Sequence, residues 1–170
     1  MPQDAPTRIT EDANGPRSTY DRIEVGADLG TIEWIVTKDL VDVQCHLDQD
    51  FDEWYSLSSP YGGVIAPPQI QYRPPRWLLS RNFNIRGLFY KWEMENCKPV
   101  VVGAKLLISG RIAEKYVRKD REFVVYEAEA TDESGNVIFR TRRTHVLDAL
   151  LRSVPRVGTG IDSGIKSEKI

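Results

Sequence analysis

The chain has 170 residues, 41% apolar and 28% charged, with a formal net charge of −2, values that suit one globular domain with a sizeable core. So small a net charge excludes a global drive toward nucleic acid or an anionic membrane surface, and no apolar run approaches the roughly 20 residues of a membrane-spanning helix. Cys45 and Cys97 lie far apart at no metal or redox spacing, so they read as free thiols of a reducing compartment. With no basic-then-apolar leader at the N-terminus, a cytoplasmic location is expected.

Residues 1–20, rich in Pro, Asp, Thr and Gly, and residues 151–170 lack periodicity and read as tails flanking a single domain over 21–150. Residues 31–36 alternate polar and apolar and predict a strand. Thr37 then caps a short helix, with Leu40, Val41, Val43 and Leu47 as its expected apolar side. An acidic and aromatic segment follows, Asp50-Phe51-Asp52-Glu53-Trp54-Tyr55, and leads into Ser58-Ser59-Pro60-Tyr61-Gly62-Gly63-Val64-Ile65-Ala66-Pro67-Pro68. Gly62 and Gly63 admit backbone angles and close approaches that a side chain would block. Pro67 or Pro68 suits the first turn of a helix, where a missing N–H costs nothing. That helix would continue through Ile70, Trp77, Leu78 and Leu79, but Pro74 and Pro75 remove donors in its middle. Two short pieces, or one late-starting helix, are therefore expected.

The second half predicts strands at 88–95, 104–116, 122–130 and 137–146, joined by the polar links 118–121 and 132–136. Along Val124, Tyr126, Ala128 and Ala130 one face is apolar, while Glu127 and Glu129 point the other way. Such strands predict an antiparallel meander whose apolar face the upstream helix covers, an α+β layer.

The order of these pieces resembles the MaoC-like acyl-CoA hydratases and dehydratases. The resemblance covers roughly residues 22–150 and is carried by the Ser58–Pro68 run, by Arg22-Ile23-Glu24-Val25-Gly26-Ala27-Asp28-Leu29, by Lys98-Pro99-Val100-Val101-Val102-Gly103-Ala104 and by Ser134-Gly135-Asn136-Val137. It is nearest to the N-terminal-type dehydratase half of that family. It implies a single hotdog domain, an antiparallel sheet wrapped around a central helix, that works without cofactor or metal on an acyl-CoA thioester. Fatty-acid or steroid side-chain metabolism would be its setting.

The implied chemistry needs a base to activate water, an acid to protonate the α-carbon and donors for the thioester oxygen. The family pattern Asp-Phe-Asn-Pro-Ile-His falls on residues 50–55, so Asp50 matches the catalytic aspartate and Tyr55 stands where the histidine is expected. Tyrosine, with a reference pKa near 10, is a poor base at neutral pH and can serve only as a donor. The resemblance assigns Tyr61, Gly62, Gly63, Ile65 and Ala66 to the substrate loop. Because Pro67 and Pro68 cannot donate, it leaves Gln69 or Ile70 as the oxyanion N–H.

Plainer readings stand beside these. Asp48, Asp52 and Glu53 fit a solvated acidic loop, His46 has no second ligand at metal spacing, and His145 fits strand packing. Trp54 and Tyr61 fit core or interface packing, or contact with an acyl chain. Arg140, Arg142 and Arg143 fit either a solvated strand face or a clamp on coenzyme A phosphates.

Two readings from different classes follow. One is a hydro-lyase component, homodimeric or paired with a second hotdog subunit that supplies the Asp/His dyad. The other is an acyl-CoA-binding or structural hotdog protein without turnover. A thioesterase fits less well, because residues 67–82 hold no Asp or Glu for the central helix. Neither nucleic acid nor membrane is expected as a partner.

Overall fold

The computed structural model describes residues 18–85 and 87–147, so most of both expected tails lies outside the described residues. Of the N-terminal stretch, residue 18 is tied to the domain, its N–H donating to Asn84 O at 3.0 Å.

Strand β1 (Asp28–Ile35) leads to helix α1 (Lys38–Asp48), the single turn α2 (Glu53–Ser56), a 3-10 helix (Pro68–Tyr72) and α3 (Pro74–Asn82). Four long strands follow: β2 (Gly87–Asn96), β3 (Lys105–Arg118), β4 (Arg121–Thr131) and β5 (Val137–Leu147). All five strands form one antiparallel sheet in the order β1-β3-β4-β5-β2. The domain is the expected α+β hotdog. The meander, however, is confined to β3, β4 and β5. Strand β2 does not pair with its successor; it runs along β5 at the far edge, with Trp92 opposite Arg143.

Sequence periodicity decides which face each strand buries. Tyr126, Ala128 and Ala130 turn inward and are buried, whereas Glu127 and Glu129 turn outward beside Arg142 and Arg140 of β5. The central helix breaks into the two expected pieces. The proline pair supplies the first residues of α3, where absent N–H groups leave no helical bond unmade. Leu78 and Leu79 of α3 are fully buried against the inner face. Gly110 lets α3 lie that close, since a Cβ there would stand 2.6 Å from Glu127 O and 3.3 Å from Leu78 Cδ1.

Thr37 caps α1 as expected, its hydroxyl accepting from Leu40 N at 3.3 Å. The apolar side of that helix departs from expectation. Val41 and Cys45 are buried, Leu40 is half-buried, and Val43 and Leu47 are 53% and 63% exposed. The reason is position: α3 already covers the sheet, so α1 packs on α2 and the 3-10 helix and buries one narrow stripe. No described helix is long and apolar enough to cross a membrane.

Candidate functional site

The candidate site begins where α1 ends. Gln49 closes the helix in the left-handed conformation (φ 55°), and Asp50 N donates to Cys45 O at 3.0 Å, which turns the chain back. Two residues on, Asp52 caps α2 by accepting from Trp54 N at 2.9 Å, a structural task in line with its plainer reading. Tyr55, on α2, is half-buried against the core. Burial first, then the Asp50 and Asp52 carboxylates and the Cys45 thiol, push its phenol above the ordinary value. Tyr55 therefore stays protonated at neutral pH and can donate a proton but not accept one.

The glycine loop is folded onto this segment. Ser59 N and Oγ both donate to Gly63 O, at 2.9 and 2.6 Å, across a turn in which Gly62 (φ 90°) and Gly63 (φ 147°) occupy positive-φ conformations. Ile65 N donates to Trp54 O (3.0 Å), Ala66 N to Val100 O (2.7 Å) and Val102 N to Val64 O (2.9 Å). The Trp54 and Tyr61 rings meet edge to face at 5.9 Å. Asp50, Tyr55, Tyr61, Gly62, Gly63, Ile65 and Ala66 thus belong to one linked region, with Ile65 and Ala66 buried and Tyr61 at the surface. Gln69 follows at the start of the 3-10 helix and is exposed. Ile70 N is already committed to Pro67 O at 3.0 Å, which leaves Gln69 as the candidate donor of that pair.

The three arginines are not brought together. Arg140 lies on the outer face, bonded to Glu129 (2.7 Å) and Glu95 (3.4 Å); Arg142, also there, binds Glu114 (2.8 Å) and Glu127. Burial works to raise the Glu127 carboxyl, but hydrogen bonds from Arg142 and Arg111 outweigh it and hold the group below its usual range. Arg143 points to the inner face and is 1% exposed. Its Nη1 donates to Tyr72 O (2.5 Å), Nη2 to Gln71 O (2.9 Å) and Nε to Thr141 Oγ1 (3.3 Å). The guanidinium also lies 5.0–5.8 Å from the ring centres of Trp92, Tyr72 and Phe89.

The proline pair explains this arrangement. In a continuous helix Gln71 O would accept from residue 74 or 75, and both are prolines. Tyr72 O would accept from Arg76 N, which instead donates to Arg73 O at 2.9 Å. Arg143 thus supplies from the sheet the two donors that the broken helix lacks. A signal for this role was present in sequence: a basic residue in phase with inward-facing Thr141 and His145, and a proline pair upstream needing a substitute donor.

His145 is buried between the Phe89 ring (5.2 Å) and the Tyr126 ring (5.7 Å). Burial, reinforced by Arg76 and Arg143, lowers its pKa to about 3, so it is neutral at physiological pH. Its Nε2, like Tyr126 Oη beside Arg143, has no hydrogen bond of good geometry. His46 is exposed, edge-on to Phe51. Among the described residues no three His, Cys, Asp or Glu side chains gather as a metal site would require.

No protein-family model matches the chain, and no curated protein matches it. Solved structures do share the fold. An (R)-hydratase, PhaJ1 from Pseudomonas aeruginosa, superposes with a TM-score of 0.63 at 13% identity, over 75% of this chain and 84% of that one. The HadBC (3R)-hydroxyacyl-ACP dehydratase complex of Mycobacterium tuberculosis gives 0.63 at 17% identity, over 72% and 96%. The ChsH1–ChsH2 complex from the same organism gives 0.59 at 9% identity, over 73% and 98%. The chain has the hotdog fold that these hydratases and dehydratases share.

Proposed function

We propose that this chain is one subunit of a hydro-lyase that adds water to, or removes it from, an acyl-CoA thioester. It shapes the acyl site, and a second hotdog subunit supplies the Asp/His dyad. The observation that carries this reading is Tyr55, a phenol pushed upward in pKa at the position where a general base is required. In hydration, a base takes a proton from water as its oxygen bonds to C3 of the enoyl group. An acid delivers a proton to C2, and the thioester oxygen holds the passing negative charge. The partner's dyad moves those protons. This chain contributes the wall formed by Tyr61, Gly62, Gly63, Ile65 and Ala66, with Gln69 N–H as the oxygen's donor. Asp50 and Tyr55 stay at the edge of the site as a carboxylate and a fixed hydroxyl donor.

Further support comes from two of the similar structures, which are complexes named for two different chains. This reading leaves the arginines out, since Arg140 and Arg142 are paired with glutamates and Arg143 bonds the carbonyls of the helix break.

The test is turnover of crotonyl-CoA by the isolated chain and by its mixture with a hotdog chain carrying the Asp-x4-His pattern. Little activity alone, and activity in the mixture that survives Asp50→Asn in this chain, is the expected outcome. Robust turnover by the isolated chain, abolished by Asp50→Asn, would refute the division of labour. Acyl-CoA binding without turnover in any mixture would instead favour the purely binding reading.

A further inference from the structure

Helix α1 carries two apolar stripes, and the fold uses one. Val41 and Cys45, one turn apart, are buried. Val43 and Leu47, one turn apart, face away from that stripe, with half-buried Leu40 at the boundary, packed against the core. That second stripe is left largely bare, with Phe51 exposed beyond the helix end and leaning on His46 at 5.4 Å. Helix α2 packs on α1 and exposes Trp54 and Leu57, and Tyr61 joins Trp54 edge to face. Of the thirteen large hydrophobic residues exposed among the described residues, six fall between positions 43 and 61. Such clustering, with three aromatic residues among the six, is the composition of a contact surface rather than of scattered surface apolar groups.

Within this segment the charges are nearly all of one sign. Between residues 38 and 53 stand Asp39, Asp42, Asp48, Asp50, Asp52 and Glu53, against a single cation, Lys38. Lys38 is already paired with Asp42. A second copy of this chain would bring the same acids and be repelled, as would an anionic bilayer or a nucleic acid.

We propose that the outer face of α1, with α2, docks a basic amphipathic helix of a different protein, its apolar anchors seated on Val43, Leu47 and Phe51 and its lysine or arginine side chains facing the acidic rim. This surface goes beyond the hydro-lyase reading and stands whether or not the protein that docks there carries a catalytic dyad.

A fluorescein-labelled 14-residue helix, with leucines at i, i+3 or i+4 and i+7 and lysines elsewhere, probes it against the full chain by anisotropy. The control is the same peptide with glutamate for every lysine. The lysine peptide is expected to bind at least about tenfold more tightly than the control, and to weaken between low and high salt. Val43→Ser with Leu47→Ser should weaken it about tenfold at an unchanged melting temperature, since both side chains are exposed. Asp39→Asn with Asp48→Asn should reduce the salt dependence. Equal binding of the two peptides, or wild-type binding by the serine variant, would overturn the proposal. So would micromolar self-association in sedimentation that Leu47→Ser abolishes, because the occupant would then be a second copy.

Discussion

Replacing Arg143 by Met removes the guanidinium that bonds Gln71 O and Tyr72 O while keeping much of the side-chain volume. Each buried carbonyl left without a donor costs about 1–3 kcal/mol. Loss of the contacts with the Trp92, Tyr72 and Phe89 rings adds about 0.5–2 kcal/mol. Relief from burying a charge works the other way, so a net loss of about 3–5 kcal/mol is expected, the usual range for breaking a buried charged network from one side. The informative quantity is how that loss changes when Pro74 and Pro75 become alanine. Those alanines restore N–H groups to positions 74 and 75, so Gln71 O regains a donor three or four residues on, and a continuous helix lets Arg76 N return to Tyr72 O. In that background Arg143→Met should cost about 1–3 kcal/mol less, a coupling of the size seen between residues that share a partner. Urea unfolding of the wild type, Arg143→Met, Pro74→Ala/Pro75→Ala and the combined variant closes the cycle, provided the four m-values agree. Additivity within about 0.5 kcal/mol would refute the substitution of side-chain donors for backbone ones. Arg143→Lys should restore less than half the loss, because an ammonium cannot present two parallel donors to adjacent carbonyls.

His145, held neutral with a pKa of about 3, should make stability fall with acid. The unfolded histidine takes up a proton near pH 6.5 while the folded one resists, so its contribution is present above that value and lost below it at about 1.4 kcal/mol per unit. Between pH 6.5 and 5, His145→Gln should therefore lose about 2 kcal/mol less than the wild type in paired urea titrations; parallel curves would contradict the assignment. Gly110→Ala sets a Cβ 2.6 Å from Glu127 O of the paired strand β4 and 3.3 Å from Leu78 Cδ1 of α3 and should destabilise by about 1–3 kcal/mol as β3 and β4 are pushed apart, measured by thermal unfolding. Tyr55→His is expected to leave the isolated chain inactive toward crotonyl-CoA, because on the proposed reading the rest of the catalytic set comes from the partner subunit; recovered turnover would show that the histidine alone was missing.

The sheet was legible because period-two alternation is read directly from residues such as Tyr126 to Ala130, and burial follows the same alternation there, although Val124 and Val125 are both buried. The proline pair gave the break in the central helix for an equally local reason, since removal of a donor is a property of the residue itself. Placement of β2 was not legible. Adjacency in sequence favours pairing with the next strand, and the eight residues that carry the chain from Asn96 to Lys105 hold no pattern that says they pass over β5 and β4 to the far half of the sheet. The apolar side of α1 failed for a related reason. Leu40, Val41, Val43 and Leu47 mark apolar surface, but periodicity alone cannot divide it between the core of one chain and a surface left for another.

The arginines show the same limit at the level of chemistry. Arg140, Arg142 and Arg143 are a cluster in sequence, yet strand alternation sends two to the outer face and one to the inner. A phosphate clamp needs neighbouring positive charges that are not already balanced, and here Arg140 is paired with Glu95 and Glu129, Arg142 with Glu114 and Glu127, and Arg143 with the carbonyls of a broken helix. The sequence-predicted residues that the structure links together are joined by backbone rather than by charge. The Gly62–Gly63 turn, the bonds from Ile65 and Ala66, and the cap at Asp52 bind residues 50–66 into one region around Tyr55. On the proposed reading Tyr55, a phenol where the family resemblance puts a base, makes this region one wall of a shared site, and the mixing assay separates that case from a self-sufficient site.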